Sequence, residues 1–79
     1  MPRKKQSQYV VCISNDGYPA SLETRKIYRA LPDAVAEKKG FVRIIDESGE
    51  DYLYPRKSFM DVDLTIAAKR KLKALESQA

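Results

Sequence analysis

Histidine and tryptophan are absent from this chain of 79 residues, cysteine occurs once and glycine three times. Without histidine, the commonest general base and the commonest nitrogen ligand for a metal are both missing. Ser21, Ser48 and Ser58 have no imidazole to activate them, so nucleophilic catalysis has nothing to build on. Asp46, Glu47, Glu50 and Asp51 cluster in sequence but lack the alternating spacing and distal bidentate glutamate of a calcium loop. They read as a solvated turn that deters edge pairing. No enzyme activity, metal or cofactor is expected. The lone Cys12 has no partner for an internal disulfide, which fits a reducing compartment, and inside a short apolar run it reads as a packing residue. No apolar run approaches the roughly 20 residues of a membrane span, and Met1-Pro2-Arg3-Lys4-Lys5 is not followed by a signal-peptide core. A cytoplasmic protein outside the membrane is expected.

What is present is a folding composition: 43% hydrophobic, with five tyrosines and two phenylalanines, and 33% charged. One domain of this size buries only about 60% of its unfolded surface, so its stability is modest. The net charge is +4, and its excess sits at the ends. Arg3, Lys4 and Lys5 mark one end, and Lys69, Arg70, Lys71 and Lys73 against Glu76 mark the other. The body between them is slightly acidic, which weakens the usual link between a basic chain and nucleic acid.

The clearest local signal is Phe41-Val42-Arg43-Ile44-Ile45-Asp46-Glu47-Ser48-Gly49-Glu50-Asp51-Tyr52-Leu53-Tyr54-Pro55, two β-branched and aromatic runs around a polar turn. Asp46 opens a type I turn, Glu47 and Ser48 fill it, and Gly49 supplies the positive φ of a G1 bulge. In this register Ile44 faces Tyr52 and Val42 faces Tyr54, so both tyrosines share a face with core aliphatics and are partly buried. A two-residue Ser48-Gly49 turn would move the tyrosines to the other face. Ser-Gly makes a poor primed turn, so the first register is expected.

Before the hairpin, Tyr9-Val10-Val11-Cys12-Ile13 reads as a first strand, and the polar stretch from Ser14 to Arg25 as a long loop whose Leu22 plugs the core. Lys26 to Leu31 alternates as a second strand ended by Pro32. Asp33 caps a short helix over 34–39, with Gly40 as its stop. After Pro55, Arg56-Lys57-Ser58 suits a turn or a piece of 3-10 helix, and Phe59 to Val62 a fifth strand. Asp63 or Thr65 then caps an amphipathic helix with Leu64, Ala68, Leu72 and Leu75 on its apolar side. The expected organisation is a basic flexible tail over 1–8, a small β-barrel domain over 9–63 and a basic helix over 64–79. The stripe is expected to dock on the barrel or on a partner.

Five short strands in this order suggest a mainly β fold, a small five-stranded SH3-like (Src-homology-3-like) barrel with a C-terminal α-helix. The alternative is an open antiparallel sheet with one helix. Residues 15–22 (NDGYPASL) and 45–55 (IDESGEDYLYP) resemble a group of short, uncharacterised bacterial proteins, a likeness covering roughly residues 9 to 62. That resemblance implies no known activity. Peptide-binding domains of this fold hold polyproline on an aromatic groove containing tryptophan, which this chain lacks. The nearest candidates for a protein-binding surface are Tyr18, Tyr54, Arg56 and Phe59. A small non-enzymatic binding module for another protein, acting as monomer or weak dimer, is therefore expected. The alternative is a nucleic-acid-binding protein that uses its basic ends with Arg29, Arg43, Tyr52 and Lys57, where bases stack on tyrosine and cations hold phosphate.

Overall fold

A computed structural model describes residues 9–77 of the chain. The expected tail over 1–8 lies outside the described residues. In chain order the elements are β1 (Tyr9–Cys12), β2 (Ile27–Leu31), α1 (Ala34–Lys38), β3 (Phe41–Ile45), β4 (Asp51–Pro55), a 3-10 turn (Arg56–Ser58), β5 (Phe59–Asp61) and α2 (Ile66–Ser77). The strands form one antiparallel sheet in the order β4-β3-β2-β1-β5.

Alternation along each strand sends one set of side chains to a common interior. Val10, Cys12, Tyr28, Ala30, Val42, Ile44, Tyr54 and Phe59 make that core, and Leu22 reaches it from the long loop between β1 and β2. Leu22 is fully buried, and a leucine so placed contributes roughly 2 kcal/mol, enough to hold a loop that has no ladder of its own.

The sheet is open, not a closed barrel, so the expected closure is corrected and the alternative fits. No ladder joins β4 to β5 among the described residues. Tyr54 and Phe59 come from the two edge strands, yet their ring centroids lie 6.2 Å apart, and Phe59 also meets the Tyr28 ring at 6.4 Å. The sheet curls far enough for these rings to meet, while the three-residue β5 pairs only with β1 among the described residues.

The hairpin takes the first register, with Val42 opposite Tyr54 and Ile44 opposite Tyr52. The Asp46 amide donates to the Glu50 carbonyl (3.1 Å) and the Gly49 amide to the Asp46 carbonyl (3.0 Å), which closes the turn. Tyr54 is buried as expected, but Tyr52 is 51% exposed. It stands on the edge strand β4.

Asp33 caps α1 by accepting from the Ala36 amide at 3.0 Å. Thr65 caps α2 in the same way, accepting from Ala68 at 3.0 Å. The apolar stripe of α2 docks less than its pattern suggests. Leu64, Ala68 and Leu72 are half-buried, but Leu75 is 64% exposed.

Gly49 takes φ +87° with nothing within 4 Å of an added Cβ, so backbone strain alone decides its replacement. Gly49→Val is expected to lower stability by about 1 kcal/mol or more, read from thermal or urea unfolding. An unchanged midpoint would contradict the bulged turn.

Candidate functional site

The turn of the hairpin is a solvated acidic tip only in part, since Glu47, Glu50 and Asp51 are exposed but Asp46 is not. Asp46 is 6% exposed, because Asp46 and Glu47 point back into the fold and bind it together. Asp46 Oδ1 accepts from the Ser48 amide at 2.9 Å and from the Ser48 hydroxyl, while Oδ2 accepts from the Tyr54 hydroxyl. Burial pushes this carboxyl up, but the bonds from Ser48 and Tyr54 outweigh it and hold it below its ordinary value. Its partner Tyr54 is pushed up to about 12, first by burial and then by the adjacent carboxylate.

Glu47 ties the turn to the loop between β1 and β2. Its amide donates to the Ser21 carbonyl at 3.1 Å, and its carboxylate accepts from the Tyr28 hydroxyl and from Lys26 Nζ (2.6 Å). Those two donors hold the Glu47 carboxyl below its usual range. Burial and the same carboxylate push the Tyr28 phenol up, and its oxygen accepts from the Glu23 amide at 2.8 Å. The loop is also closed on itself, since Asn15 Nδ2 donates to the Leu22 carbonyl at 3.1 Å.

These bonds fix Tyr18 edge-on to Tyr54, with ring centroids 4.9 Å apart. Such a pair adds roughly 1 kcal/mol beyond its buried area. Together with Ser21, Asp46, Ser48, Tyr52 and Leu53, the two rings line an open pocket of about 370 Å³. Leu53 belongs to the opposite face of β4 from Tyr52 and Tyr54, so the pocket reaches round the sheet edge.

The anticipated protein-binding residues are therefore only partly together at a surface. Tyr18 is exposed and sits on Tyr54, but Tyr54 and Phe59 are buried core. Arg56 donates to the Phe59 carbonyl (3.2 Å) and to Asp61 (2.8 Å), which braces the 3-10 turn. The residues anticipated for nucleic acid divide between the two faces of the sheet. Tyr52 shares the inner side with Ile44, while Arg29 and Arg43 lie on the outer side. Arg43 is held by Asp33 and Asp51, each at 2.9 Å, so its charge is locally balanced. Lys57 is exposed in the turn before β5.

A second cleft, of about 200 Å³, lies between α2 and the outer face of β1 and β2. Tyr9, Arg29, Ile66, Lys69, Arg70 and Lys73 line it. The sequence flagged Arg29 and the helix lysines separately, and only the antiparallel pairing of Tyr9 with Arg29 beneath α2 brings them together. Cys12 is buried, and burial pushes its thiol up, away from the reactive thiolate. Among the described residues no three histidine, cysteine, aspartate or glutamate side chains converge on a metal position, and no helix is long and apolar enough to cross a membrane. Comparison with protein-family models, with curated proteins and with solved structures finds no match.

The depressed Asp46 carboxyl contributes stability that is present above the ordinary aspartate value of about 4 and is lost as pH falls through its folded value. Tyr54→Phe removes one of the bonds that depress it and leaves a buried oxygen short of a donor. The variant is expected to lose roughly 1–3 kcal/mol at neutral pH and to show a shallower loss of stability between pH 5 and pH 2, measured by urea unfolding across pH. Parallel curves for the two proteins would contradict the assignment.

Proposed function

We propose that the chain is a non-enzymatic binding module that takes up an extended segment of another protein along β4, at the tyrosine pocket. The observation that carries this is the coincidence of a free sheet edge with a preformed aromatic pocket. Among the described residues β4 has a strand neighbour on one side only. The Asp46 amide donates to the Glu50 carbonyl, so in this register Ile44 with Tyr52 and Val42 with Tyr54 are the hydrogen-bonded pairs, and alternation turns the amides and carbonyls of Asp51 and Leu53 outward. An incoming strand would find its backbone partners there. Its side chains would meet Tyr18, Tyr52 and Leu53, each more than one-third exposed, and the hydroxyls of Ser21 and Ser48.

Asp46, the only carboxylate among the described residues lining the pocket, already accepts three hydrogen bonds from its own fold, which suits a structural role rather than acid or base catalysis. The strand order, with Tyr54 meeting Phe59 across the sheet, supports an SH3-like reading in which the gap beside β4 is the point of entry. The single buried thiol suits a reducing, cytoplasmic setting.

Selection of a displayed random peptide library on the intact protein tests this proposal. Recovered peptides are expected to shift the amide resonances of Tyr18 and residues 51–53, and to bind Tyr18→Ala and Tyr52→Ala at least tenfold more weakly. Peptides that perturb only other surfaces, or bind both variants unchanged, would contradict it.

A further inference from the structure

We propose that the extended segment taken up along β4 is a basic one, with an arginine or lysine seated opposite Tyr52 and paired with Glu50. The inference rests on the reading of β4 and the tyrosine pocket as a docking site, and adds the chemistry of the occupant. Of the acidic side chains around the turn, Glu47 faces Lys26 at 2.6 Å and Asp51 faces Arg43 at 2.9 Å. The carboxylates of Asp46 and Glu50 face neutral donors instead. Asp46 accepts from the Ser48 amide and hydroxyl and from the Tyr54 hydroxyl, and Glu50 Oε1 accepts from the Tyr52 hydroxyl at 3.1 Å. Such bonds favour the charged form of a carboxyl group without cancelling its charge. Asp46 is buried in the wall of the pocket, where its charge is screened less than at the surface. Glu50 first, with Asp46 and Asp51 adding less, pushes the Tyr52 phenol up, so the negative field reaches that ring.

The chain itself shows what this arrangement holds. On the other side of the turn Tyr28 donates to Glu47, and Lys26 completes the group, with Nζ 5.5 Å from the centre of the Tyr28 ring while it pairs with the same carboxylate. Tyr52 and Glu50 repeat the phenol and the carboxylate, and an incoming cation supplies the third part. The edge of β4 fixes where that cation comes from. An antiparallel segment that bonds to the outward amides and carbonyls of Asp51 and Leu53 places the residue between those bonds opposite Tyr52, in a pair of the kind whose side chains approach most closely. Its side chain leaves the sheet on the pocket side, beside the half-exposed Tyr52 ring and diagonal to Glu50. Arginine and lysine can lay their stems on the ring and carry the charge to the carboxylate. An acidic or phosphorylated segment would be repelled by Asp46 and Glu50.

The test is parallel selection of a displayed random peptide library on the intact protein and on Glu50→Lys. Peptides from the intact protein that shift the amides of residues 51–53 are expected to be richer in arginine and lysine than the unselected library, and Glu50→Lys is expected to recover acidic peptides in their place. The basic peptides are expected to bind Glu50→Gln about threefold more weakly and Glu50→Lys about tenfold more weakly or worse, since like charges in contact repel. Glu37→Lys makes the same change of charge on α1, at the opposite end of β3 from the turn, and is expected to alter affinity less than about twofold. Circular dichroism melting of each variant establishes that it is folded. Peptides that shift residues 51–53 without an excess of basic residues, or equal losses from Glu50→Lys and Glu37→Lys, would overturn this inference and leave the docking reading standing. Recovery only of peptides that leave residues 51–53 unperturbed would overturn both.

Discussion

The inward turn of two acidic side chains at the tip of a hairpin is the constraint on which the rest of this structure depends. Asp46 is buried against Ser48 and Tyr54, and Glu47 reaches across to Tyr28, Lys26 and the Ser21 carbonyl. Exposed ion pairs are worth little, and the Lys26–Glu47 pair taken alone would not order a loop. The effect comes from the network. Each carboxylate accepts from several donors in a partly dry setting, and removing any one leaves the others under-satisfied. Leu22 supplies the apolar half of the same attachment. Together they convert a loop of a dozen residues into a wall of the core, and they place Tyr18 over Tyr54.

A small open sheet has two faces and two edges, and this chain uses them differently. The inner face is filled by side chains from all five strands and carries the stability. The β4 edge, beside the tyrosine pocket, has no strand partner among the described residues other than β3. The outer face is covered only in part, with α2 leaning over Tyr9 and Arg29. The tyrosine pocket and the cleft under α2 therefore lie on different sides of the sheet. For the same reason Tyr52 and Arg43 do not form one surface, since neighbouring positions in paired strands point to opposite sides of the sheet.

Much of the fold was legible in the sequence because it follows from local chemistry. The hairpin register came from the poor fit of Ser48-Gly49 to a primed turn, the α1 cap from Asp33, the 3-10 turn from Pro55, and the burial of Leu22 from its isolation in a polar loop. Most of the failures were of long range. Glu47 looked like a solvent-facing turn residue because its partners Lys26, Tyr28 and Ser21 lie some twenty residues earlier, whereas Asp46 is buried by bonds within the hairpin, from Ser48 and Tyr54. Closure of the barrel depended on whether β4 and β5 pair with each other, which the local pattern of neither strand specifies. The grouping of Arg29 with Lys69, Arg70 and Lys73 depended on where α2 comes to rest, and the half-exposed stripe of that helix did not specify it.

The central claim is that the loop between β1 and β2 is held to the hairpin as part of the cooperative fold. Native-state hydrogen exchange at two amides tests it directly: that of Glu47, which donates to the Ser21 carbonyl, and that of Glu23, which donates to the Tyr28 hydroxyl. If the network is as described, both exchange only through global unfolding, with the same free energy as the core amides of β3. Exchange of either amide at the rate of an open loop, while β3 stays protected, would show that the loop moves independently of the hairpin and would contradict the account.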